Sequence, residues 1–142
     1  MKVLRLNTGA ARVSYPNAVI YSFEVRPMEI DALSYPVRPV PAFAENIRDS
    51  ITSQGLLNPV VVIRGPREDI VRFYDQVGWA HDWLPDSPVV NIVCGGTNRV
   101  YAARELGYTH IDCVLVPDPY IAMRMQTAQR SSYEPGSAEE KG

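Results

Sequence analysis

The chain has 142 residues, 46% of them hydrophobic, and a formal net charge of −2. That apolar content suits one compact core, and the length is short for two ordinary domains. The acidic balance argues against the broad basic footprint of nonspecific nucleic-acid binding. No apolar run approaches the roughly 18 residues of a membrane span, so no membrane partner and a cytoplasmic location are expected.

Residues 1–18 mix polar residues with Gly9 and Pro16 and show no sustained period, so they read as an arm contributing one short strand. "VIYSFEV", 19–25, has the β-branched and aromatic content of a strand, and "RPMEIDAL" is expected to turn away through Pro27. In "SYPVRPVPAF" three prolines impose an extended path. "AENIRDSITSQG" places Ile47 and Ile51 one helical turn apart before Gly55, which predicts a helix of about ten residues.

"NPVVVIRG" and "VVNIVCGG" are short continuous apolar runs and predict strands. Between them, Ile70, Phe73, Tyr74 and Val77 fall at helical spacing within a helical insertion at about 66–87. "RVYAARELG" predicts a helix closed by Gly107, "HIDCVLVP" a closing strand, and "YIAMRMQTAQRSS" a last helix before a polar tail at 131–142 expected to be disordered. Interleaved strands and helices predict an α/β (α+β) fold over 19–130, with a mixed sheet of about four strands and three to five helices.

Cys94 and Cys113 lie in apolar runs without metal-ligand spacing, and His81 and His110 are isolated, so buried reduced thiols and no metal site are expected. Of the 14 basic residues 12 are arginine, spread along the chain, which fits either codon bias or a local phosphate site.

The densest chemistry is "CGGTNR". Gly95 and Gly96 permit close backbone approach, and the following helix offers its positive N-terminal end to an anion. Thr97 adds a hydroxyl, Asn98 an amide and Arg99 a fixed charge. A tight corner with Thr97 or Asn98 as helix N-cap explains the same residues equally well. The stretch is neither a Walker loop nor a dinucleotide fingerprint.

"NIVCGGTNRVYAARELGYTHIDCVLV" resembles the second signature of the ParB/sulfiredoxin superfamily, a strand running into G-x-x-R or G-G-C-H-R and an alanine-rich helix. "FAENIRDSITSQGLLNPVVV" is similar to the first ParB signature, and "IYSFEVRPMEIDALSYPVRPVPAF" resembles the opening strand and R-P-x-P segment of sulfiredoxin. The likeness covers about 19–64 and 88–130 in the family's order. It implies a loop that binds nucleotide phosphates, with a nucleoside triphosphate and Mg²⁺ as cofactors. Carried over by position, Arg38, Asn46, Ser50, Gly96 and Arg99 fall on phosphate-facing positions, with Gly95, Thr97 and Asn98 completing the loop. Arg130 matches the last residue of E-N-x-Q-R in "QTAQR", where Gln126 replaces the acid that would help hold the metal.

Thr97 and Asn98 stand where sulfiredoxin has its cysteine and histidine, so peroxiredoxin repair is not expected. The helix-turn-helix and dimerisation domains of ParB partition proteins are also not expected here. If the nucleotide is hydrolysed or its phosphoryl group transferred, Glu45 and Asp49 are the candidate general bases. The alternatives are a non-catalytic DNA-associated module of a phage or mobile element, or a protein-interaction module on the same fold. Phe73, Tyr74, Trp79 and Trp83 read first as a helical cap on the core, and second as an oligomer or partner surface, or a lid that stacks a base.

Overall fold

The computed structural model describes residues 1–15, 21–36, 40–122 and 124–125, the side chains of 43 and 44 excepted. The elements are β1 (Val3–Leu4), β2 (Arg12–Tyr15), β3 (Tyr21–Glu29), a short 3-10 turn at Ile30–Ala32, α1 (Pro41–Gln54), β4 (Val60–Pro66), α2 (Arg67–Val77), β5 (Val89–Gly95), α3 (Thr97–Glu105) and β6 (His110–Val116). Residues 119–122 and 124–125 are helical. The fold is the mixed α/β class expected.

Six strands form one sheet in the order β2-β3-β6-β4-β5, with β1 paired to β6 beside that path. β4 and β6 are parallel, whereas β3–β6, β4–β5 and β2–β3 are antiparallel. The arm contributes two strands rather than one. β1 is only two residues long and pairs with His110 and Ile111, too short for any period to reveal it and too far from its partner for local signals to help.

Central β4 is buried on both faces, which explains its uninterrupted "VVVI". Val60 and Val62 pack with Ile51 of α1 and Val100 and Ala103 of α3 on one side. Val61 and Ile63 pack with Ile70, Phe73 and Tyr74 of α2, and with Ala122 and Met125, on the other. The result is a sheet between two helical layers.

Two prolines behave differently from expectation. Pro27 does not turn the chain but sits within β3, opposite Asp112. Val25 donates its N–H outward to Ala11, so Pro27, two residues on, puts its donorless nitrogen on the same side, past the start of β2 at Arg12. Pro41 opens α1, which therefore runs 14 residues instead of about ten. Proline is tolerated at a first helical position, where no intrahelical hydrogen bond would use its N–H. Gly55 ends α1 as anticipated, at φ 77° with its N–H bonded to Ile51.

The helical insertion is half helix. α2 stops at Gly78 in the left-handed region, and the chain returns through "WAHDWLPDSP", where the Arg67 side chain donates to the Pro85 carbonyl and Arg67 N–H to that of Pro88. On β6, Asp112 marks the point where β1 pairing ends and β4 pairing begins. Its buried carboxylate accepts the Leu6 N–H at 2.8 Å and meets Arg5 at 3.4 Å. No helix among the described residues is long and apolar enough to cross a membrane.

Candidate functional site

The β5–α3 turn is built from a bulge and a glycine. Val62 pairs with Val93 and Val61 with Gly95, so Cys94 is the extra residue on β5, and its thiol lies 3.4 Å from the Val61 carbonyl. Gly96 then adopts φ 115°, a conformation that side chains resist, and begins α3 without a side-chain cap. Neither Thr97 nor Asn98 caps its own helix.

Asn98 instead reaches across to α1. Its Oδ1 accepts the Val40 N–H at 2.7 Å, satisfying a donor at the start of a helix that has no cap of its own. Asn98→Ala is therefore expected to cost about 0.5–2 kcal/mol in urea unfolding, with Asn98→Asp, which keeps an acceptor, retaining most of it.

Arg99 folds inward. Its guanidinium donates to the carbonyls of Asn58 at 2.6 Å, Pro59 at 3.3 Å and Gly95 at 3.3 Å, tying the segment before β4 to the end of β5. A Cβ on Gly96 would lie 2.8 Å from Arg99 Nη2, so glycine is needed here both for its φ and for room under the guanidinium. Ser50 and Arg99, both expected site residues, share a small depression of about 220 Å³ with Asn58.

A larger cavity of about 660 Å³ lies between the aromatic segment and the β5–α3 turn. Phe73, Tyr74, Trp79 and Trp83 wall it, and Cys94 and Thr97 bring the turn to it. The aromatic segment and the glycine turn, read separately in sequence, thus meet in one space. Both readings of the aromatics have a counterpart: Phe73 and Tyr74 are buried in the core, whereas Trp79 is 51% exposed. Cavity residues without any advance signal include Pro119 and Ala122, brought there by the chain after β6.

The expected residues thus divide between two spaces. Gly95, Gly96, Thr97, Asn98 and Arg99 form the turn, with Thr97 toward the large cavity and Arg99 toward Ser50. Glu45, Asn46 and Asp49 are exposed on α1 and line neither space. Glu105, another nearby acid, pairs with Arg48 of α1. Arg38, Gln126 and Arg130 lie outside the described residues.

Burial pushes the Cys94 thiol up to about 12, so it stays protonated at neutral pH. Tyr74 is raised to about 12 by burial, with the nearby Cys94 adding to the shift, and Cys113 to about 12 by burial and then by Asp112. All three hold their protons longer folded than unfolded, so above the unfolded thiol value near 9.0 the unfolded state binds fewer protons. Stability should be intact below that value and fall as pH rises toward about 12. Urea midpoints measured between about pH 8 and about pH 10.5 should decline, and Cys94→Ala with Cys113→Ala should flatten the decline.

No family model matches the chain, and no curated protein matches it significantly.

Proposed function

We propose that this chain is a nucleotide-binding protein that holds a base among Phe73, Tyr74, Trp79 and Trp83 and presents the phosphates to the β5–α3 turn. The observation that carries this reading is the single cavity shared by those rings and Thr97, the first residue of α3. Its volume of about 660 Å³ lies in the range of small-molecule sites. Aromatic faces stack bases, and a helix N-terminus stabilises an anion through its N–H groups and dipole.

The likeness to ParB/sulfiredoxin signatures supports the same loop and implies a nucleoside triphosphate with Mg²⁺ and Arg38 and Arg130 as further contacts, whereas Asn46 and Ser50, which it implies as well, do not line this cavity. In this reading Arg99 serves the site by holding the turn on three carbonyls. Binding is favoured over turnover, because Glu45 and Asp49 do not line the cavity.

Titration of ATP, CTP, GTP and ADP with Mg²⁺, followed by calorimetry and tryptophan emission, tests this directly. Binding below millimolar concentration is expected, weakened about fivefold or more in Trp79→Ala by loss of a stacking face. If no nucleotide binds below millimolar concentration, the reading fails. Retardation of DNA that is lost steeply with salt would favour the DNA-associated alternative.

A further inference from the structure

We infer that His81 and Asp75 are positioning residues for the cavity, holding segment 78–83 in the shape that receives the ligand's ring. This rests on the nucleotide reading above and deepens it. Gly78, Trp79, Ala80 and Trp83 all line the cavity, so one short segment supplies much of its wall. The segment leaves α2 at Gly78, whose φ of 77° ends the helix, and beyond that point its shape depends on individual hydrogen bonds. Near its start the Trp79 N–H donates to the Tyr74 carbonyl at 2.9 Å. Near its end the Trp83 indole N–H donates to the Ala80 carbonyl at 2.9 Å, and the Leu84 N–H to that of His81 at 3.1 Å.

Between these, His81 Nε2 lies 2.9 Å from Asp75 Oδ1. A carboxylate only accepts, so Nε2 carries the proton and donates. The bond returns the middle of the segment to the last turn of α2, beside Tyr74, another wall of the same cavity. Trp79 and Trp83 stand two residues to either side of His81, and the centroids of both rings lie 5.7 Å from that of Tyr74. A displacement of His81 therefore shifts two walls relative to a third. The His81 and Asp75 side chains are 32% and 65% exposed, and a pair so exposed contributes little to global stability. The same bond acts directly on the local equilibrium of the segment, and apparent affinity falls with the fraction of molecules already in the binding shape.

The two tryptophans of the chain both line the cavity, so tryptophan emission reports on it directly. The test measures binding of ATP, CTP, GTP and ADP to the full chain, beside urea unfolding of the ligand-free protein. His81→Ala and Asp75→Ala should each weaken the tightest nucleotide by about three- to tenfold, the range of one hydrogen bond, with little change in urea midpoint. The double variant should bind no more weakly than either single one, because both remove the same bond. Asp75→Asn keeps an acceptor and should retain most of the affinity. Asp82→Ala, at the exposed neighbouring acid, should bind as the native chain does. Unchanged affinity in His81→Ala, a double variant weakened by the product of the two single losses, or an equal loss in Asp82→Ala would overturn this inference while leaving nucleotide binding in place. Failure of the native chain to bind any nucleotide would overturn both.

Discussion

Arg99→Ala is expected to lower the stability of the fold by about 2–4 kcal/mol, beyond any effect on ligand binding. The guanidinium ties Asn58 and Pro59, just before β4, to Gly95 at the end of β5. Removing it strips three partly buried carbonyls of a charged donor. Arg99→Lys should recover less than half of the loss, because an ammonium cannot span the same carbonyls. Urea unfolding of the ligand-free protein decides the matter. An unchanged midpoint would mean that Arg99 does not hold the turn and would return it to the role of a phosphate contact alone.

Phe73→Ala is expected to cost about 3–5 kcal/mol, the range for truncating a buried aromatic. Phe73 is 5% exposed, packs in the core beneath α2, and meets the rings of Tyr120 at 4.8 Å, Tyr74 at 5.8 Å and Trp79 at 6.0 Å. Its loss removes apolar burial and enlarges the cavity that it lines. Trp79→Ala, at a half-exposed position, should cost about 1 kcal/mol or less. Paired denaturation curves of the two variants would separate the aromatic residue that holds α2 from the half-exposed one. Equal losses would mean that the segment acts only as a core cap.

Glycine chemistry was legible in advance. Gly55 as the stop of α1 and Gly96 between β5 and α3 follow from positive-φ conformations that other residues avoid. The continuous apolar runs of β4 and β5 also announced strands, buried in β4 and partly so in the edge strand β5. Proline was harder to read, because its effect depends on which side of a strand or which turn of a helix receives it. Pro27 is accommodated because its nitrogen faces beyond the start of β2, and Pro41 because it opens a helix instead of interrupting one.

Thr97, Asn98 and Arg99 are consecutive, yet they serve three different places: the aromatic cavity, the start of α1 and the segment before β4. Sequence could name the hydroxyl, the amide and the guanidinium and place them at a strand-to-helix turn, because residue type and local period are short-range properties. Their partners lie some 40 to 60 residues away, and the shared cavity joins α2 to the β5–α3 turn through the order of strands in the sheet. Those pairings depend on which elements the packed core brings side by side. Only tertiary structure could therefore turn Arg99 inward and bring Trp79, Tyr74 and Thr97 around one space.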